Sequence, residues 1–125
     1  LAEPAIASVP DPAKGAAKLA KLLERLPSLG AMIQVCWVRA ADPAIDLEDH
    51  AAASAAVQNL LIGANAMGVG SFWSTNPALS HPSTLRWCGF DPASQGFLGS
   101  IWLGIAREQP EPPPRRALAE VTRWL

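Results

Sequence analysis

The sequence has 125 residues, enough for one domain with a hydrophobic core of its own. Half of the residues are hydrophobic, and ten basic residues against eleven acidic ones give a formal net charge of -1. This balance excludes the strongly basic surface that binds nucleic acid or an anionic membrane. We therefore expect a single domain, residues 1–125, that binds neither.

The two cysteines, Cys36 and Cys88, lie far apart in the sequence, and neither belongs to a CxxC pair. His50 and His81 do not complete the ligand spacing of a structural zinc site, so no metal site is expected. The N-terminus has neither the basic start nor the apolar run of a signal peptide. Isolated cysteines are typical of reduced proteins, and the sequence therefore predicts a cytoplasmic protein with two packed thiols.

Hydrophobic periodicity predicts the first elements of the chain. Residues 1–12 contain three prolines and predict an extended lead-in. Residues 14–26 carry leucines at helical spacing with basic residues on the other face, and Pro27 is expected to end this helix. Residues 31–39 are apolar on both faces, which favours a strand at the centre of a sheet.

A nearly uncharged helix between Asp49 and Gly68 is the most unusual segment of the chain. Acidic residues from Asp46 onward favour its start, and Gly68 is a natural C-terminal cap. A surface helix has a polar face and this one barely does, so we expect burial that includes a second protein surface. It is too short and too polar for a bilayer, which requires about twenty apolar residues. The two amides in the middle of it, Gln58 and Asn59, should be buried and bonded to backbone groups across a helix or subunit contact.

The second half of the chain predicts further short elements. A strand is expected over 69–73, a brief helix over 82–88, and a buried strand over 96–106 whose glycines indicate close backbone approach. Residues 107–114 form a proline-rich linker. In the closing arm, propensity favours a helix over 115–120, whereas the last five residues have strand character. The fold class is mixed α and β.

No motif of nucleotide binding or nucleophilic catalysis is present, because the sequence has no P-loop, no GxGxxG and no GxSxG elbow. No catalytic residue is assigned, and Glu48 and His50 are best explained as a charged helix start. The tryptophans are expected in the core or at an interface. The Ser74-Thr75-Asn76 turn can offer hydroxyl, amide and backbone groups to a ligand. Polar turns are common, so the turn alone identifies no ligand.

The elements predicted above carry a series of short segments in a fixed order. They are Gln58-Asn59-Leu60, Ala64, Gly68-Val69-Gly70, Ser71-Phe72-Trp73, Leu85-Arg86, Gly89-Phe90, the strand from Ile101 to Ala106 and the segment from Arg115 to Val121. In this order they resemble the nitroreductase family of FMN-dependent oxidoreductases. The resemblance covers most of residues 14–125.

The resemblance implies an α+β, nitroreductase-like homodimer with a central, mostly antiparallel sheet. The long helix would pack across the dimer. The C-terminal arm, residues 107–125 with the linker, would extend over the partner subunit, which favours a strand over 121–125. No nucleic acid or membrane partner is implied.

The resemblance also implies a chemistry. NAD(P)H gives a hydride to FMN, which then reduces a nitroaromatic, a quinone or a similar small acceptor, and the protein binds and orients the flavin. The turn after the second strand would line FMN, residues 64–69 would approach the nicotinamide cofactor, and one arginine of the arm would approach the FMN phosphate. The residues so implied in cofactor binding are Met67, Gly68, Ser74, Thr75, Asn76, Arg115 and Arg116.

Two departures from the family pattern leave alternatives open. Many members have an arginine near the position of Ser74, and the family's arginine-arginine-serine phosphate clamp and first helices are not among these 125 residues. Arg115 and Arg116 are equally well explained as solvated charges of the arm. The alternatives to an oxidoreductase are a non-catalytic dimerisation or interaction module, and a flavin-binding protein without nitroreductase turnover.

Overall fold

The computed structural model describes residues 10–108 and 111–124, and the statements below refer to these. The strands are β1 (Ala31–Val38), β2 (Gly70–Ser74) and β3 (Gln95–Gly104). The helices are α1 (Pro12–Arg25), α2 (Pro43–Ala66), α3 (Pro77–Ser80), α4 (Pro82–Trp87) and α5 (Leu118–Val121), with a 3-10 turn at Leu26–Ser28.

The three strands form one antiparallel sheet in the order β1-β3-β2. The mixed class and the antiparallel sheet are therefore confirmed, but the prediction that β1 is central is wrong for the described residues. β1 is apolar on both faces although it is an edge strand. The reason is that helices cover both faces of the sheet. Val35 and Trp37 pack towards α2, whereas Gln34 is hydrogen-bonded to Leu79 of α3.

The core has two layers that meet at β3. On one face, Val57 of α2 packs with Ile101. On the other face, Leu22 of α1 packs with Ala78 of α3, and Trp102 lies against them. Successive strand residues point to opposite faces. One central strand therefore contributes to both layers.

α2 begins earlier than the acidic residues had indicated. Asp42 is its N-cap and Pro43 its first residue, a combination that supplies a carboxylate acceptor and a preset φ. The predicted end is confirmed: Gly68 has a φ of 75°, and the N–H of Val69 donates to the carbonyl oxygen of Ala64 at 2.9 Å. This is the Schellman closure that glycine favours.

One face of α2 is not covered by the described residues of the single chain. Ile62 is 58% exposed, and Gln58 and Asn59 are also exposed. Both side chains lie away from the helix face that Val57 buries, so the described residues of one chain do not bury them. Their burial against a second protein surface stays a prediction. The sheet covers α2 on one side only.

The two ends of the chain differ from expectation. Of the lead-in, residues 1–9 lie outside the described residues, and α1 begins at Pro12, capped by the carboxylate of Asp11. Pro27 does not stop the chain in a loop but lies in the 3-10 turn.

In the arm, the helix forms over Leu118–Val121 rather than over 115–120, and residues 109, 110 and 125 lie outside the described residues. The expected strand over 121–125 is not formed in the part that is described. A strand requires a second strand edge to pair with, and none lies against the arm in one chain.

The other predicted elements are found within two residues of their expected positions. These are the strands over 69–73 and 96–106 and the helix over 82–88. None of the helices over the described residues is long and apolar enough to cross a membrane.

Candidate functional site

The polar turn joins the end of β2 to the start of α3. Ser74 is buried and pairs with Ser100 in the strand register. Asn76 is the N-cap of α3, since its Oδ1 accepts a hydrogen bond from the N–H of Ala78 at 2.9 Å. Thr75, between them, is exposed. The three side chains predicted to line a ligand therefore have different environments, and Thr75 is the most accessible.

Hydrogen bonds from the sheet and from α4 hold α3 in place. The Nε2 of Gln34 donates to the carbonyl oxygen of Leu79 at 2.8 Å, and the buried hydroxyl of Ser100 donates to the Oε1 of the same glutamine. Thr84 donates to the carbonyl oxygen of Ala78 at 2.7 Å. These bonds satisfy carbonyl groups that so short a helix leaves unpaired. The position of the turn therefore depends on residues distant in sequence.

A cavity of about 220 Å³ opens beside Asn76, between α1 and α3. We name it the cationic cavity because α1 contributes Lys18, Lys21 and Arg25 to its wall. These residues are three or four positions apart and so share one side of the helix. Its lining residues are Lys18, Lys21, Leu22, Arg25, Asn76, Pro77, Ala78 and Trp102.

A larger open groove of about 680 Å³ shares the lining residues Arg25 and Trp102 with the cationic cavity. We name this the β2 groove, since residues of β2 and the end of β3 line it. A third hollow of about 520 Å³ adjoins it through Gly70 and Ser71 and reaches Gly68. The residues lining the β2 groove are Arg25, Ser28, Leu29, Gly70, Ser71, Phe72, Trp102, Leu103, Gly104, Ile105, Ala106 and Arg107.

Trp102 stands where the cavity and the groove meet. Its Nε1 is buried and has no hydrogen-bond partner among the described residues. Leaving such a donor unsatisfied costs about 1–3 kcal/mol. Its ring packs edge-on against Phe72, with ring centroids 6.0 Å apart. Sequence reasoning missed Trp102 as a site residue, because nothing in the sequence distinguishes it from the other tryptophans.

The basic residues of the cationic cavity have no acidic partners. Over the described residues, the one ion pair joins Lys14 to Asp11 at 3.9 Å. No described carboxylate oxygen therefore lies within 4.0 Å, the distance that defines an ion pair, of the charged nitrogens of Lys18, Lys21 and Arg25. Glu24 lies beside Lys21 and Arg25 at an adjoining hollow, so the positive charge on this side of the molecule is offset in part without a direct ion pair.

The predicted cofactor residues occupy three places. Asn76 lies at one end of β2 and Gly68 beyond the other, and the five residues of β2 span about 13 Å at about 3.3 Å per residue. Met67, beside Gly68, is 81% exposed. Arg115 and Arg116 are exposed in the arm and do not line the cavities described above. Hollows that share lining residues thus lie along β2 between two of the predicted positions, but the described residues of one chain do not bring all seven together.

Neither cysteine lines the cavity or the groove described above. Both are free thiols and both are half-buried. Burial raises the pKa of the Cys36 thiol, and the neighbouring charge of Cys88 adds to the effect. A thiol with a raised pKa is a weak nucleophile at neutral pH. Within the described ranges, no three side chains of metal-ligating type lie close enough together to hold an ion.

The fold is similar to that of solved nitroreductase-like structures. A nitroreductase-like family protein from Bacillus cereus matches with a TM-score of 0.81 and 24% sequence identity, over 99% of this chain and 65% of that one. This chain has the nitroreductase-like fold. A second structure is described as a nitroreductase from Desulfovibrio desulfuricans in complex with FMN. It matches with a TM-score of 0.61 and 27% identity, over 97% of this chain and 63% of that one.

The resemblance to nitroreductases inferred from the sequence is thus confirmed at the level of the nitroreductase-like fold. No protein-family model matches the sequence, and no curated protein does so significantly. The chain spans 65% and 63% of the two solved structures, so about a third of each has no counterpart in these residues.

Proposed function

We propose that this chain is an FMN-dependent oxidoreductase of the nitroreductase type. One observation carries the proposal: in a nitroreductase-like fold, hollows that share lining residues follow β2 from Asn76 to Gly68. Both positions are implied in cofactor binding by the sequence resemblance, and one of the similar structures is an FMN complex.

The lining of the β2 groove suits a flat aromatic ring with an anionic tail. Its volume of about 680 Å³ falls within the range of about 300–1,000 Å³ that ligand pockets occupy. Phe72 and Trp102 supply aromatic surface, and Ser28 and Ser71 supply hydroxyl groups. An arginine such as Arg107 suits a phosphate, because the guanidinium group presents several donors in one plane. We therefore assign the flavin to this groove.

In this proposal the flavin, when bound, supplies the redox chemistry, and the chain binds and orients it. Asn76 and the adjoining Ser74 and Thr75 line the flavin at one end. Gly68 and Met67 receive NAD(P)H at the other end. The acceptor is a nitroaromatic, a quinone or a similar small molecule, and the cytoplasmic location expected from the sequence stays a prediction.

We further propose that the functional unit is a homodimer formed through the uncovered face of α2. That face carries Ile62, the exposed amides Gln58 and Asn59 and small residues, and Met67 follows the end of the helix. An exposed apolar side chain among small and neutral polar residues, without charges, suits a protein interface. A partner subunit would also provide the strand edge that the C-terminal arm does not find in one chain. Arg115 and Arg116 would then approach the FMN phosphate from the arm.

A charge at the centre of this face tests the dimer. We expect Ile62→Asp to raise the dimer dissociation constant at least about a hundredfold, because a carboxylate would lose its hydration in an apolar interface. Light scattering coupled to gel filtration over a range of protein concentrations measures this. Ile62→Val, which keeps the side chain apolar, is the matched control and should remain dimeric. A wild-type chain that is monomeric at every concentration would contradict the proposed assembly.

Flavin binding tests the function itself. We expect one FMN per chain by absorbance titration, and a loss of affinity of about tenfold in Phe72→Ala, because a favourable aromatic contact contributes about 0.5–1.5 kcal/mol beyond its buried area. Trp87→Ala is the control: this side chain is 84% exposed and does not line the groove. Phe72 is itself exposed, so its removal should leave the fold intact.

The same samples separate the alternative functions. Oxidation of NADH or NADPH, with and without a nitroaromatic or quinone acceptor, is measured on the flavin-loaded chain. Turnover supports the oxidoreductase. A chain that takes up FMN but does not turn over is a flavin-binding protein, and one that dimerises without taking up FMN is an interaction module. Absence of flavin uptake would refute the proposed function.

A further inference from the structure

The three glycines of β3 differ in what covers them. A Cβ on Gly96 would overlap the six-membered ring of Trp37, and a Cβ on Gly99 would overlap the five-membered ring of Trp73. At both positions the missing side chain leaves room for an indole of the same chain to lie against the strand. Two glycines of β3 thus provide the space in which a flat aromatic ring contacts the backbone.

Gly104 is the third glycine of the strand, and no aromatic ring of the described residues covers it. Apart from its two chain neighbours, a Cβ here would meet only the backbone nitrogen of Gly30, at 3.5 Å. Gly104 lines the β2 groove and is paired in register with Gly70. The space that an indole fills at the other two glycines therefore belongs, at this one, to the open groove.

We propose that Gly104 is a specificity-determining residue of the β2 groove. A planar aromatic ring of the bound ligand lies against the backbone of Gly104, as the indoles lie against the other two glycines of β3. The missing side chain admits a flat ring and would be lost with any other residue at this position. The identification of this ring as that of the flavin rests on the proposed function.

The residues beside the glycine pair favour an aromatic ligand. Phe72 and Trp102 are paired in register two positions from Gly70 and Gly104, and so lie on the same face of the sheet. Their own rings pack edge-on, with centroids 6.0 Å apart. Neighbouring strands lie about 4.8 Å apart, so the paired glycines leave a flat area broader than one strand. A ring on this area would meet the aromatic pair at its edge, an arrangement that aromatic rings prefer.

Gly70 belongs to the same area but has less free space around it. A Cβ on Gly70 would lie 3.1 Å from the carbonyl oxygen of Gly104 and 3.3 Å from the Cβ of Ala106. A side chain at Gly70 would therefore disturb the strand pair, whereas one at Gly104 would extend into the groove. Gly104 is thus the position at which ring binding can be changed while the sheet is kept.

Side chains of increasing size at Gly104 test the contact. The probes are FMN and lumiflavin, which has the flavin ring without the phosphate-bearing tail, and affinity is measured by absorbance titration. We expect Gly104→Val to weaken the binding of both by the same factor, about tenfold or more, and Gly104→Ala to weaken it less, because the added carbons hold the ring away from the backbone. Ala13→Val enlarges an exposed residue of α1 that lines none of the hollows and should bind both probes as the wild type does.

The α-protons of the glycines provide a measurement that does not depend on activity. The chain is labelled with ¹³C-glycine and followed by NMR, and the signal of Gly104 is assigned with Gly104→Ala. A ring lying flat on Gly104 should shift its α-protons upfield, with saturation at the concentration that saturates the absorbance titration. Gly96 and Gly99, which indoles already cover, should not shift. If FMN binds but the Gly104 signal does not move, or if Gly104→Val binds FMN as the wild type does, the proposal is overturned and the flavin function stands.

Indole separates the ring site from the proposed function. It is the ring that already lies against Gly96 and Gly99, and it has no flavin chemistry. If neither FMN nor lumiflavin binds, the proposed function fails. A saturable upfield shift of Gly104 on adding indole would then still support a site for planar aromatic rings, and the absence of this shift would overturn that site as well.

Discussion

Replacing Gly96 by alanine should lower the free energy of unfolding by about 3 kcal/mol, the upper range for overpacking a core. A Cβ at this position would overlap the indole of Trp37, which lies opposite Gly96 in the register of β1 and β3. The indole cannot move aside easily. Its Nε1 donates to the carboxylate of Asp46 at 3.0 Å, and its ring packs edge-on against His50 with centroids 4.7 Å apart.

Urea unfolding followed by tryptophan fluorescence measures this loss. Gly104→Ala is the matched control, since it makes the same change on the same strand. A Cβ there would meet the backbone nitrogen of Gly30 at 3.5 Å, an ordinary contact, so we expect a change within about 0.5 kcal/mol, as at most surface positions. If the two variants unfold at the same urea concentration, the close packing of Trp37 on Gly96 is not important for stability.

Features determined by neighbouring residues could be predicted from the sequence. Gly68 ends α2 with a positive φ, as its position after an apolar helix indicated. The location of β1 at the sheet edge could not be predicted, because strand order depends on pairing with β3, far along the chain. Asp46 shows the same limit. The sequence explains it as a helix-start charge, but its carboxylate also accepts hydrogen bonds from Trp37 and from the backbone of Ala40.

The candidate site likewise has one part that could be predicted from the sequence and one part that could not. The turn with Asn76 was predicted because its residues are consecutive and follow a strand. The cationic cavity was not predicted, because Lys18 and Lys21 alone look like the solvated face of an amphipathic helix. The two lysines line a cavity only because α1 packs beside α3 and Trp102, which are distant in sequence. A site assembled by tertiary packing leaves no local pattern.

Gln34→Leu should lower the free energy of unfolding by about 2–4 kcal/mol, because it removes two hydrogen bonds at once. The buried hydroxyl of Ser100 would lose its acceptor, and the buried carbonyl oxygen of Leu79 would lose its donor. Each group left unsatisfied costs about 1–3 kcal/mol. Ser80→Ala is the control, since it removes an exposed bond from Ser80 to the carbonyl of Pro77 and should cost less than about 0.5 kcal/mol.

A double-mutant cycle separates these two contributions. Ser100→Ala removes the hydroxyl, so Gln34→Leu should cost about 1–2 kcal/mol less when Ser100 is already alanine than in the wild type. The carbonyl of Leu79 remains unsatisfied in both backgrounds, and α3 should loosen equally. Because Asn76 caps α3, Gln34→Leu should also weaken FMN binding, and Ser100→Ala should not restore it. Strictly additive stability changes, or full FMN affinity in Gln34→Leu, would show that the glutamine does not hold this helix in place.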